Sequence, residues 1–202
     1  MSEQKYPYNE SVENASTNGP VEQLHRNPTE SEIFSKFLTG DDNAAMYMFR
    51  TYNRKIFMYC TKIVNNTFSA EDITQEVWER VIRLRNQDTV EILNPGGFLF
   101  TIARNLCLNH IKSRKNTISI DDIDEHAIPK SYQPGENHVE ELVSTSLELL
   151  KFEDRELLVL NMYCGYRFDE IAGMLGISSN AVWTRASRAR ANLREIVSKS
   201  LK

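Results

Sequence analysis

The chain is 202 residues long, with 41% apolar and 26% charged residues, the balance of a soluble globular protein with room for one ordinary domain or two small ones. No run approaches the ~20 apolar residues needed to span a bilayer. The amino terminus, MSEQKYPYNESVEN, lacks the basic start and apolar segment of a secretory signal, which places the chain in the cytoplasm as an expectation. The formal net charge of −4 is unevenly distributed. Residues 1–32 carry two basic against six acidic residues, a net of −4, while residues 171–202 carry six basic residues against one acid, a net of +5. Asymmetry of this kind is the electrostatic footprint of a nucleic-acid binder whose overall pI hides it. Cys60, Cys107 and Cys164 are odd in number, far apart and without a CxxC or a paired His, so neither a disulfide framework nor a zinc site is suggested. They read as buried thiols, and no metal or cofactor is expected.

In chain order, residues 1–30 are rich in Asn, Glu, Ser and Pro with no apolar period, and are expected to form a disordered acidic tail. From about residue 31 the pattern turns helical: Ala45, Phe49, Tyr52, Ile56, Tyr59 and Ile63 recur at steps of four and three along one face of a long helix. A second helix is expected from Ser69, whose hydroxyl can cap the amide of Asp72, with Ile73, Val77, Val81 and Leu84 on its apolar side. The segment RNQDTVEILNPGG, 85–97, breaks the period and ends in a strong turn signal. After it, Phe98, Leu99, Ile102, Ala103 and Leu106 share one helical face while Thr101, Asn105, Asn109 and Lys112 lie on another, and the end of the helix is basic. Residues 116–137 hold the acids and prolines of a flexible linker. Beyond it, Leu142, Leu147, Leu150, Phe152, Leu157, Leu158 and Leu160 suggest two helices broken around KFED.

The stretch FDEIAGMLGISSNAVWTRASRARANLRE, 168–195, spells a helix-turn-helix. Phe168, Ile171, Ala172 and Leu175 form a short amphipathic helix, Gly176 supplies a left-handed turn, and Ser178 or Ser179 can cap the next helix. There Val182, Ala186, Ala189 and Leu193 face the core. At 100° per residue, Asn180, Thr184, Ser187, Arg188, Ala191 and Arg194 fall on the opposite side, with Trp183 at its margin. A helix exposed in this way, with short polar residues near its start and arginines along it, matches the DNA major groove; a solvated basic face is the plainer alternative. No strand is indicated, so the expected fold is all-α: two small helical domains, 31–115 and 138–202, joined by the linker.

The acids Glu71, Asp72, Glu76 and Glu79 raise a metal-dependent nuclease as an alternative, since carboxylates at i and i+4 can bind a divalent ion. No His or further acid completes such a site, and acids early in a helix are favoured by its dipole. Asp72, Gln75, Glu76 and Glu79 instead form a contiguous polar surface suited to a protein partner.

The runs SAEDITQEVWERVIRL and GGFLFTIARNLCLNHIKSRK resemble the σ2 domain of bacterial sigma factors of the extracytoplasmic-function (ECF) group, and FDEIAGMLGISSNAVWTRASRARANLRE is similar to that group's σ4 helix-turn-helix domain. The resemblance covers roughly residues 31–115 and 138–198. It implies a promoter-recognition subunit of RNA polymerase that performs no chemistry itself. By that resemblance Asp72, Gln75, Glu76 and Glu79 dock on the clamp of the largest core polymerase subunit. Arg104, Asn105, Asn109, Lys112, Arg114 and Lys115 contact the melted downstream promoter strand. Ser179, Asn180, Trp183, Thr184, Arg185, Ser187, Arg188 and Arg190 contact the upstream element, with Arg185, Arg188 and Arg190 on phosphate. For Asn105 a structural hydrogen bond is the alternative.

An anti-sigma factor is implied as a further partner. Two residues leave the family pattern. Trp183 stands where the group favours Lys, and is open to contact with a thymine methyl, with the first helix of the motif, or with polymerase or a regulator. Phe98 stands where the group favours Trp. A stand-alone regulator that only binds duplex DNA is the competing reading, and it has no need of the 69–115 block.

Overall fold

The computed structural model describes residues 27–85, 91–117 and 138–201; the tail over 1–26 and the segment 118–137 of the linker lie outside them. The described residues form eight helices and no strand. These are α1 (Glu30–Leu38), α2 (Asp42–Val64), α3 (Thr67–Ile82), α4 (Pro95–Thr117), α5 (His138–Glu148), α6 (Phe152–Met162), α7 (Phe168–Leu175) and α8 (Ser179–Ser200).

Local chemistry sets the helix ends. Thr29 and Glu32 close a reciprocal capping box at the start of α1, satisfying two backbone donors that the first turn leaves unpaired. α3 begins earlier than Ser69, because the Asn66 side chain accepts from the Ser69 amide at 2.8 Å and the helix runs from Thr67. Asn in extended backbone is as good a cap as Ser. α4 begins inside the expected loop: Asn94 accepts from the Gly97 amide at 2.8 Å, and Pro95 occupies the first helical position, where its missing N–H is not needed. A Cβ on Gly97 would lie 2.8 Å from the Asn94 side chain, so the cap depends on glycine there. Gly176 ends α7 at φ +66°, the left-handed conformation glycine adopts without penalty.

α1 to α4 pack around α2. The buried face of α2 carries Ala44, Met48, Tyr52, Ile56, Tyr59 and Ile63, so its first two turns are rotated by one position from the expected Ala45 and Phe49. Phe49 is half exposed and packs at a tilt against Trp78 with ring centroids 5.2 Å apart. Trp78 also donates its indole N–H to Asn53 at 2.9 Å, tying α3 to α2. α5 to α8 pack around Leu147, Leu157, Leu158, Leu160 and Ile171, all fully buried. The two groups do not remain apart. α6 lies against α2 and α7 against α4, and one apolar cluster runs continuously from Phe34 to Leu193.

The three cysteines are free and buried. Burial pushes the Cys164 thiol up to about 12 although Lys55 pulls it down, and the contact with Cys60, then burial, raise Cys107 far above the ordinary thiol value. An acid whose folded value is raised keeps its stabilising effect below its unfolded value and loses it as pH rises towards the folded one. Thermal stability should therefore fall progressively between pH 9 and 12, by on the order of 1.4 kcal/mol per pH unit for each such thiol. Melting followed by circular dichroism across this range checks it; a flat profile would mean these thiols titrate normally.

Candidate polymerase and DNA interface

Three exposed surfaces carry the polar residues singled out by the sequence. On α3, the buried side is Ala70, Ile73, Thr74, Val77, Trp78 and Val81, which turns Asp72, Gln75, Glu76 and Glu79 outward to solvent. Gln75 donates to Glu79 at 3.0 Å, Arg80 to Glu76 at 2.9 Å and Arg83 to Glu79 at 3.2 Å. Pairs this exposed contribute only a few tenths of a kcal/mol. They align side chains along the helix more than they hold it together. Two residues missed by the sequence reading complete this face: Phe68 is 75% and Ile82 52% exposed, and at 100° per residue they bracket Gln75 and Glu79. The signal was available in the helical phase, since neither fits the buried side.

On α4, Thr101, Asn105, Asn109 and Lys112 form an exposed stripe, and Arg114 is exposed beyond it. The Lys115 side chain lies outside the description. Arg104, a candidate for strand contact by resemblance, does not join this stripe. It points to the neighbouring helix group, where Nε donates to both carboxylate oxygens of Glu156 at 2.9 and 3.1 Å, and its guanidinium lies 5.2 Å from the Phe152 ring. Helical phase accounts for this: residue 104 follows Ala103 on the flank of the buried row Phe100, Ala103 and Cys107.

On α8, Ser178 caps the first turn by accepting from the Ala181 amide at 3.2 Å. Val182, Ala186, Ala189 and Leu193 are buried, while Ser179, Asn180, Thr184, Ser187, Arg188, Ala191 and Arg194 are exposed. Neither Arg188 nor Arg194 has an ion-pair partner among the described residues. Arg185 is half buried and lines a groove of about 650 Å³ with Lys151, Glu153 and Asp154. Arg190, expected on phosphate, is partly buried instead: it donates to Asn161 at 3.0 Å and lies 5.1 Å from the Phe168 ring. It braces α8 against α6 and α7. Trp183 packs edge-on against Phe168, with centroids 4.6 Å apart, yet leaves 57% of its surface exposed. Of the three contacts open to it from sequence, the one with the first helix of the motif is made, and its outer surface remains available. Among the described residues no group of three or more His, Cys, Asp or Glu is arranged to hold a metal ion.

Comparison with known families assigns this architecture. Residues 48–117 match sigma-70 region 2 and residues 140–193 match sigma-70 region 4. The chain belongs to the ECF-type RNA polymerase sigma factors. The first matched segment contains the α3 and α4 surfaces, and the second contains the α8 surface as far as Leu193.

Curated relatives of this sigma factor include the RNA polymerase sigma factor CarQ of Myxococcus xanthus, 27% identical over 80% of this chain and 94% of that protein. A second is the ECF sigma factor BldN of Streptomyces coelicolor, 26% identical over 78% of this chain and 62% of that protein. Among solved structures, CnrH in complex with the cytosolic domain of CnrY aligns at a TM-score of 0.59 and 17% identity, over 84% of this chain and 97% of that one. RpoE in complex with the anti-sigma factor NepR from Bartonella quintana aligns at 0.57 and 18%, over 78% and 98%. At these identities the likeness establishes a shared fold. As an ECF sigma factor, the protein acts in promoter-specific transcription initiation with core RNA polymerase. No described helix is long and apolar enough to cross a membrane.

Proposed function

We propose that this cytoplasmic sigma factor divides its work between two helical units, 31–115 and 138–202, and performs no catalysis of its own. The outer face of α3 docks on core polymerase: Asp72, Gln75, Glu76 and Glu79 supply polar contacts, with Phe68 and Ile82 as apolar anchors of the kind that dominate interface energetics. The exposed stripe of α4, Asn105, Asn109 and Lys112, with Arg114 beyond it, contacts the melted downstream strand, whose unstacked bases present their edges to such side chains. Arg104 joins them only when released from Glu156.

The outer face of α8 enters the major groove of the upstream element. There Arg188 and Arg194 meet phosphate, as Arg185 does at the groove edge, while Ser179, Asn180, Thr184 and Ser187 read bases. The exposed surface of Trp183 offers an apolar contact such as a thymine methyl. Arg190 supports this face from behind. An anti-sigma factor that covers one or more of these surfaces is the expected regulator.

The observation that carries the reading is the separation of faces on α8: every buried position is apolar, and no acid lies between Glu170 in α7 and Glu195. The deciding experiment is in vitro transcription with core polymerase, which should yield a promoter-specific transcript. If the chain shifts duplex DNA but forms no complex with core and starts no transcript, it is a stand-alone regulator.

A further inference from the structure

A cavity of about 290 Å³ lies where the end of α2, the last turns of α4 and the start of α6 meet. Its floor is apolar. Ile63 and Val64 are buried at the end of α2, and Ile111 of α4 packs against the same core cluster. These walls belong to the continuous apolar core, so close packing holds the cavity in shape. Around the floor stand His110 and Arg114, one turn apart on α4, Glu148 at the end of α5, and Arg155 near the start of α6. His110, Glu148 and Arg155 take no part in the polymerase or DNA surfaces.

Arg155 is the unusual member. It is half buried, and its Nε is fully covered with no hydrogen-bond partner among the described residues. Burial pulls the guanidinium towards its neutral form, and the Glu148 charge offsets this only in part. Arg85, Arg104 and Arg190, also half buried, each donate to an Asp, Glu or Asn side chain. A charged donor taken out of water without such a partner is costly. Arg155 therefore lacks a counter-charge that a bound anion would supply. An apolar wall with a few convergent polar groups is the ordinary make-up of a small-molecule site.

We propose that this cavity binds a small amphipathic carboxylate, whose head pairs with Arg155 and Arg114 and whose hydrocarbon body lies on Ile63, Val64 and Ile111. A guanidinium fork matches a carboxylate in geometry as well as charge, and His110 carries a ring N–H in either tautomer to add a donor at the head. The Glu148 carboxylate repels a second negative charge, which favours a monoanion over a phosphate. Size sets the body: at about 30 Å³ for a water-sized group, the cavity has room for roughly ten, the heavy-atom content of octanoate. The site stands apart from the assignment of α4 to DNA, although Arg114 is common to both.

Titration calorimetry on the full chain tests it. Octanoate should bind with a dissociation constant below about 1 mM. Butyrate should bind at least about tenfold more weakly, since each buried methylene is worth roughly fourfold in affinity. Octanol, which lacks the charge, and inorganic phosphate, which lacks the body, should each lose about tenfold or more. Arg155→Gln should weaken octanoate binding by roughly tenfold, the weight of a charge-assisted hydrogen bond. Glu148→Gln, at an exposed helix end, should strengthen it by roughly two- to fivefold. That gain keeps the test decisive if Arg155→Gln folds poorly, because unfolding does not tighten binding.

No saturable binding of octanoate, or equal binding of octanol or butyrate, would overturn the site. Unchanged affinity in both variants would place the carboxylate elsewhere on the chain and overturn it too. If Arg155→Gln weakens binding of a single-stranded oligonucleotide but not of octanoate, the arginine belongs to the strand path and the proposal falls. None of these results touches the sigma reading, which stands or falls on a promoter-specific transcript from the wild-type chain with core.

Discussion

Asp72→Ala combined with Gln75→Ala should weaken binding to core polymerase by roughly ten- to hundredfold, as expected when two polar members of a docking face are truncated together, and should suppress promoter-specific transcription to match. Both side chains are exposed on α3, so their removal opens no cavity, and substitutions at such positions usually change stability by less than about 0.5 kcal/mol. Gln75 donates only to Glu79, one turn along the same helix. Duplex binding through α8 should therefore be preserved in the full chain. Competition binding to labelled core, measured beside a duplex shift assay, separates the outcomes: equal loss of both activities would indicate unfolding, and loss of neither would remove α3 from the polymerase interface.

The second large effect is expected on α8. Arg188→Ala with Arg194→Ala should reduce affinity for upstream duplex by on the order of tenfold or more at low salt. It should also flatten the dependence of log affinity on log salt by about two, since each lost phosphate contact returns a slope of roughly 0.9. Arg190→Ala would not report the same quantity. Its guanidinium holds Asn161, which in turn donates to the Tyr166 carbonyl at 2.9 Å, so its loss disturbs the seating of α8 as well as its charge. An unchanged salt slope in the double variant would reduce the outer arginines to a solvated face.

These contrasts show what could be read along the chain. A helix declares its own faces, because 100° per residue is independent of what the helix touches. Val182, Ala186, Ala189 and Leu193 are buried in α8 as their spacing required, and the outward positions from Asn180 to Arg194 follow from the same arithmetic. The exposed stripe of Thr101, Asn105, Asn109 and Lys112 on α4 was legible for the same reason. Where several residues compete for one local role the reading was weaker. Asn66 and Ser69 could each begin α3, and the choice fell on the residue whose side chain reaches an unpaired amide three positions on. Met48 and Phe49 are both apolar, yet Met48 is buried while Phe49 stays half exposed with its ring against Trp78.

Sequence alone determined the all-α class, the two motif-bearing helix groups, the turn of the helix-turn-helix and the charge carried by its outer face, since each depends on residues within about one helical turn of one another; the choice of Ser178 over Ser179 as its cap came with the structure. Tertiary structure decided which charged groups remain available. Arg104 meets Glu156, Arg190 meets Asn161 and Trp183 meets Phe168, pairs separated by 52, 29 and 15 positions. An arginine's position on a helix limits which way it can point, but whether it meets water, phosphate or a carboxylate is settled by the element packed opposite, and helical periodicity carries no record of that neighbour.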